Sequence, residues 1–270
     1  MKMKTIYFTL LSVLVFGVVM VSCLKTEKPT EQTEDLQFKL KHELEEVGIF
    51  ESNLVLPELR SSCGPILTGC KTTTTSYITV SYNHPDYPGC IITIPVKVVS
   101  CNDENGSPIN VNFEILANIE NWGYSTDCVR LRNEWLTLYQ SNQIGQLENE
   151  LIHLYQTVSN YIETTYMAAY LFTFQKFCPN STVESNFVKR NCNSFCFSAS
   201  EGEISINEPQ CGDGCCVRKK IMCYDMTTNS IIVTSTNFSQ LGTCYDNFPN
   251  CSPGDLGGNN CITPCQIMGG

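Results

Sequence analysis

Residues 127–176, DCVRLRNEWLTLYQSNQIGQLENELIHLYQTVSNYIETTYMAAYLFTFQK, decide the fold class. Leu131, Trp135 and Leu138 form one apolar stripe, which Gly145 interrupts. Leu147, Leu151, Leu154, Val158, Tyr161, Ile162, Tyr166 and Tyr170 follow at steps of three and four, the period of a helix with one buried face. No proline occurs between Pro108 and Pro179. Two packed helices, or one kinked helix, are predicted here.

Both flanks have a different chemistry. On the N-terminal side KTTTTSYITVSY (71–82), CIITIPVKVVSC (90–101) and PINVNFEIL (108–116) are β-branched runs bounded by turn residues. Asn102 to Gly106 reads NDENG, so residues 90–117 are predicted to form a hairpin. On the C-terminal side CCVRKKIMCYD (215–225) and SIIVTSTNF (230–238) flank Met226 to Asn229, a second predicted hairpin. Cys101 and Asp103 close the first strand of one hairpin as Cys223 and Asp225 close that of the other. A duplication accounts for this, as does the ordinary use of Asp to start turns. Leu36, Leu40, Leu44 and Val47, within LQFKLKHELEEVGIF (36–50), predict a short amphipathic helix.

The expected architecture is α+β: two small β-rich, disulfide-stapled lobes, about residues 60–126 and 195–265, flanking a central helical hairpin. The segments run 1–22 (signal peptide), 23–35 (lipidated Cys and flexible tether), 36–126 (helix and β lobe), 127–178 (helical) and 179–270 (Cys-rich β lobe).

Composition narrows the function. The 270 residues carry 17 Lys+Arg against 27 Asp+Glu, a formal charge of −10, and only 16% are charged. An acidic, sparsely charged surface disfavours non-specific binding to nucleic acid. Low charge with 10% aromatics disfavours global disorder.

The first 23 residues, MKMKTIYFTLLSVLVFGVVMVSC, place Lys2 and Lys4 before an uncharged run from Ile6 to Val21. The run has the length of a signal-peptide core and falls short of a membrane span. Its end, Met20-Val21-Ser22-Cys23, resembles the lipobox of bacterial lipoproteins, in the looser form found in Bacteroidetes. That resemblance covers residues 1–23 alone. It implies cleavage before Cys23, lipidation of Cys23 and anchoring at the outer membrane or cell surface. The competing reading is an ordinary secretory signal. LKTEKPTEQTED (24–35) lacks hydrophobic periodicity and reads as a tether; its four acids resemble, more weakly, the export signals of surface lipoproteins.

Setting Cys23 aside leaves an even set: Cys63, Cys70, Cys90, Cys101, Cys128, Cys178, Cys192, Cys196, Cys211, Cys215, Cys216, Cys223, Cys244, Cys251, Cys261 and Cys265. In an oxidising compartment such thiols pair. All sixteen are therefore expected in disulfides, with Cys215 and Cys216 pairing separately. Zinc modules favour paired short C-x₂₋₄-C knuckles. Here Cys192/Cys196, Cys211/Cys215 and Cys261/Cys265 are C-x₃-C, and no C-x-x-C occurs, so neither a metal site nor thioredoxin-type chemistry is expected.

No side chain stands out for catalysis. His84 lies in a turn, Tyr82-Asn83-His84-Pro85-Asp86, and reads as a surface residue. Glu150 and His153 make a lone Glu-x-x-His, whereas di-iron bundles need two with further carboxylates. Glu45/Glu46, Glu148/Glu150 and Glu201/Glu203 are carboxylate pairs that sequence spacing alone cannot place on one sugar. The stretch from Asp246 to Asn260 offers oxygen ligands for calcium but lacks the EF-hand pattern, and the turn-forming reading is preferred. Phosphate-loop, dinucleotide, zinc-protease and nucleophile-elbow motifs do not occur, and no cofactor is expected.

Trp122 and Tyr124, in a predicted loop before Cys128, are the candidate ligand contacts; packing over the helix start is the preferred alternative. The expectation is a membrane-anchored, cysteine-rich envelope lipoprotein, structural, adhesive or ligand-binding, whose partner is an envelope protein or glycan. The alternative is an envelope glycan hydrolase using an Asp/Glu pair.

Overall fold

The structure, a computed structural model, describes residues 29–52, 69–245, 251–258 and 261–269, with side chains from Leu36 onward. The signal peptide, Cys23, Cys63 and parts of the 246–260 loop lie outside the described residues. Chain contacts divide it into residues 1–37 and 38–270.

Helix α1 (Pro29–Glu46) starts inside the segment read as a tether. Pro29 at its first position needs no intrahelical hydrogen bond. In the second unit its Leu40 and Leu44 are buried, as the four-residue spacing predicts.

The strands are β1 (Ile49–Glu51), β2 (Thr72–Asn83), β3 (Ile91–Asn102), β4 (Pro108–Ile115), β5 (Gly123–Tyr124), β6 (Val183–Asn193), β7 (Cys196–Ser200), β8 (Glu203–Asn207), β9 (Gln210–Asp225), β10 (Ser230–Leu241) and β11 (Leu256–Gly257). Helices α2 (Val129–Gln140) and α3 (Ile144–Thr173) fill the predicted helical segment, and α4 (Pro264–Met268) closes the chain. Both predicted hairpins form, β3 with β4 and β9 with β10, each antiparallel.

The two-lobe expectation is corrected. Strands from both ends of the chain make one sheet in the order β1-β2-β3-β4-β6-β9-β10, with β5 paired to β3. The join is β4 with β6, which run parallel with Phe113 beside Phe187. A parallel pair needs a long crossover, and residues 116–182 supply it through α2 and α3. The helical segment is thus the link that welds the two strand groups together. A small sheet, β11-β7-β8, lies apart in the strand order.

Alternation on the strands sets the core. Ile78, Val80 and Tyr82 on β2, Ile92, Ile94, Val96 and Val98 on β3, and Val111 and Phe113 on β4 are buried together with Leu147, Leu151, Val158, Ile162, Tyr166 and Tyr170 of α3. The other face of β4 and β6 carries polar side chains. Asn186 Nδ2 donates to Asn110 Oδ1 at 3.1 Å, Asn112 Oδ1 at 3.0 Å and Glu184 Oε1 at 3.0 Å.

Seven bridges are described: Cys70–Cys101, Cys90–Cys128, Cys178–Cys223, Cys192–Cys244, Cys196–Cys251, Cys211–Cys261 and Cys216–Cys265. Cys215 is disulfide-bonded as well, and since Cys216 holds Cys265 the two neighbours do pair separately. Each bridge contributes about 2–4 kcal/mol by restricting the unfolded chain. Cys101 and Cys223 occupy matching places at strand ends. Asp103 and Asp225 then start the two turns, each carboxylate accepting a backbone N–H two residues on, from Asn105 and Thr227, both at 2.8 Å.

Candidate functional site

The turn between β2 and β3 contains His84-Pro85-Asp86-Tyr87. The Cys90–Cys128 bridge, with a Cα separation of 4.4 Å, ties the end of this turn to the start of α2. Helical spacing then does the rest. Leu131, Glu134 and Trp135 share one face of α2, and Glu150, His153, Leu154 and Thr157 share one face of α3. Together with Tyr82 these residues line a cleft of about 310 Å³.

The floor is apolar: Tyr82, Leu131, Trp135 and Leu154 are buried. The polar groups are two imidazoles, the carboxyls of Asp86, Glu134 and Glu150, and the Tyr87 phenol. Among the described lining residues there is no Lys or Arg, so the cleft favours neutral or cationic ligands over anions.

Hydrogen bonding orients the wall facing α2. The Asp86 backbone N–H donates to His84 Nδ1 at 3.2 Å, which leaves the proton of the neutral ring on Nε2. The ring sits edge-on to Tyr87, with centroids 4.7 Å apart, and to Tyr82 at 6.0 Å. Tyr87 Oη donates to Glu134 Oε2, a bond from the turn to α2. Burial holds the His84 imidazole below the ordinary histidine range, and nearby His153 pushes it the same way. Asp86, Glu134 and Glu150 pull it upward and lose. Burial also raises the Tyr87 phenol, with the Glu134 carboxylate adding to the effect, so it acts as a donor at neutral pH.

Sequence reasoning set aside both His84 and the Glu150–His153 pair, and the structure brings them to one cleft. The residues are 66 and 69 positions apart along the chain, and no local pattern joins them. The only signal was the helical phase of Glu150 and His153 with Leu154, which marked one face without saying what it meets.

The expected ligand contacts are placed differently. Trp122 is 3% exposed, its indole N–H donates to the Ala117 carbonyl at 3.1 Å, and its ring packs on Tyr155. Its N–H and its ring are thus engaged within the protein, and it does not line the His84–His153 cleft. Tyr124 is half-buried, donates to the Ile119 carbonyl at 2.8 Å, and lines a smaller depression of about 210 Å³ with Arg132 and Glu203. Glu45 and Glu46 are exposed on α1, and Glu201 is at a turn. Glu148, whose carboxyl burial raises, is not in the cleft lining, so only Glu150 of that pair contributes.

A wider groove of about 700 Å³ runs between Val47, Ala168, Phe172 and Ile231. Its chemistry is poorer, since Glu43 and Tyr224 are its titratable groups. The Sγ atoms of Cys192, Cys244 and Cys261 lie within 4.8 Å of one another because two bridges run side by side. Sulfur in a disulfide is not the thiolate a metal needs.

A scan against protein-family models and searches of curated proteins and of solved structures find no match.

Proposed function

We propose that the protein is an exported, lipid-anchored binding module of the bacterial envelope, and that the His84–His153 cleft is its ligand site. Seven described disulfides support export, because bridges of this number persist in oxidising compartments. The lipobox-like end at Cys23 supports anchoring at the outer membrane or cell surface. The observation that carries the ligand site is the composition of the cleft: aromatic floor, carboxylate and imidazole rim, and no cationic side chain among its described residues. Aromatic faces with carboxylate acceptors suit a hydroxyl-rich neutral ring or a small cation, and an envelope glycan offers the former.

A second reading has its own observation. Glu134 and Glu150 reach the same cleft from two different helices, the outline a glycan hydrolase with paired carboxylates requires. Here binding would be the prelude to bond cleavage.

The test is one experiment with two readouts. Wild type, Glu134→Gln and Glu150→Gln are applied to a glycan array and to purified cell-wall glycan. Retention that the substitutions weaken, without release of reducing ends, supports the binding module. Release that both substitutions abolish supports the hydrolase. Neither retention nor release from any neutral or cationic glycan overturns the assignment of the cleft.

A further inference from the structure

Lys220 Nζ, on β9, touches two side chains of α3. It lies 2.8 Å from Glu163 Oε2 and 3.1 Å from Asn160 Oδ1. The Lys220 side chain is 11% exposed, and that of Glu163 is fully buried. Asn160 and Glu163 are three residues apart, so both meet the strand from one side of the helix. An amine, a carboxylate and a carboxamide are thus held together, the groups that aminolysis of an amide requires.

Charge is out of balance at this place. Arg218 Nη2 lies 2.9 Å from the same Oε2, so two cations share one carboxylate. Neither has a second carboxylate at ion-pair distance among the described residues. A buried charge without its own counter-ion is costly, and lysine can shed its charge where arginine cannot. Burial holds the Lys220 ammonium below the ordinary lysine range, and Arg218 pushes it the same way. Glu163 pulls it upward and loses.

We propose that Lys220 and Asn160 form an intramolecular isopeptide bond that ties β9 to α3. Glu163 takes a proton from Nζ, and the freed amine attacks Asn160 Cγ. The Nζ–Cγ bond forms and the Cγ–Nδ2 bond breaks. Glu163 passes the two protons that Nζ gives up to Nδ2, which leaves as ammonium. A lysine ammonium and a carboxamide therefore yield a secondary amide and an ammonium ion, and the surplus positive charge departs with the latter. No oxidant, reductant or cofactor takes part.

The geometry suits this step. Oδ1 is bonded to Cγ at about 1.2 Å, which puts the carbon under attack within about 4.3 Å of Nζ. Asn160 is exposed, so its amide is free to turn Cγ towards the roughly 3–3.5 Å of a reactive approach, and the ammonium escapes directly to solvent. Glu163 is left with Arg218 and the Ser185 hydroxyl, one anion with one cation. The bond joins residues 60 apart in the chain and, unlike the disulfides, survives a reductant.

The test is peptide mapping by mass spectrometry of the exported full chain after denaturation, reduction and alkylation. Wild type is expected to yield a branched peptide joining residue 160 to residue 220, lighter by one ammonia than its two linear parts. Asn160→Ala and Lys220→Arg are each expected to lose the branch completely. Glu163→Gln, which cannot take the proton, is expected to lose most of it. Unchanged near-ultraviolet circular dichroism shows that a variant is folded, and Asn160→Ala, which trims an exposed side chain, carries the test if the buried variants are not. Wild type that gives only linear peptides overturns the proposal. So does loss of ammonia without the branch, as a succinimide at Asn105-Gly106 would give, or a branch that persists in Asn160→Ala. A branch kept in full by folded Glu163→Gln overturns the route through Glu163.

Discussion

Arg218 of β9 places Nη2 2.9 Å from Glu163 Oε2 of α3, with both side chains buried. Lys220 Nζ reaches the same carboxylate at 2.8 Å, and Ser185 Oγ donates to its other oxygen at 2.6 Å. One helix and two strands therefore meet at a single anion, and the Arg218 guanidinium also lies over the Phe187 ring at 5.3 Å. A buried ion pair adds little net stability over a well-packed apolar one, but removing one partner strands the other charge. Glu163→Ala is expected to lose about 3–5 kcal/mol, read by denaturant unfolding with the disulfides intact. Glu163→Gln keeps the hydrogen-bond acceptor and is expected to lose less. Equal stability of Glu163→Ala and wild type would contradict this account.

Below about pH 6.5 an unfolded histidine takes up a proton. His84 in the folded chain takes it up only at lower pH, chiefly because its partial burial penalises the charged ring. The unfolded state then binds more protons, so stability falls as pH drops below about 6.5 and rises as pH climbs back. His84→Gln is expected to flatten that slope in a series of melting temperatures. An unchanged slope would show that the ring titrates as freely as in the unfolded chain.

Glu208 is buried, accepts the Ile119 backbone N–H at 2.6 Å and stands 3.9 Å from Lys189 Nζ. Burial raises its carboxyl despite both contacts. Glu208→Ala leaves the Ile119 amide unpaired and is expected to cost about 1–3 kcal/mol. Glu208→Gln should restore most of this, which thermal melts of the two variants can compare.

Replacing Cys90 and Cys128 together by Ser is expected to cost about 2–4 kcal/mol. It also frees the 84–90 turn from α2, so any glycan retained by wild type should be lost from a variant that is still folded. Retention at wild-type strength would mean that the turn holds its place without the bridge.

Lipidation predicts that labelled fatty acid enters the wild-type chain and that Cys23→Ala releases it from membranes. A label that persists in Cys23→Ala would remove the anchor from the proposed function.

Much of the fold was readable from local patterns. Leu147 to Tyr170 marked the long helix at its own period, and Ile92 to Val98 and Val111 to Phe113 marked strands by alternation. Asp103 and Asp225 marked turns through chemistry that acts over two residues. The parallel register of β4 with β6 was not readable, because a strand's pattern tells which face is buried and not which strand lies beside it. The cleft was missed for the same reason. His84 looks like a turn residue and Glu150–His153 like a solvated helix face until the Cys90–Cys128 bridge brings turn and helices together. Packing was the preferred reading of Trp122, but its loop context could not name Tyr155 of α3 as the ring it packs on.

Periodicity, composition and cysteine parity, all short-range or summed properties, are what the amino-acid order alone determined: an α+β class, a helical centre and disulfides in place of a large charged surface. Tertiary structure alone decided the merging of two strand groups into one sheet, the choice of partners among the cysteines, and the meeting of His84, His153, Glu134 and Glu150. Each of these joins residues tens of positions apart, and the free energy selecting them comes from burying shared surface, which exists only once the chain has closed on itself.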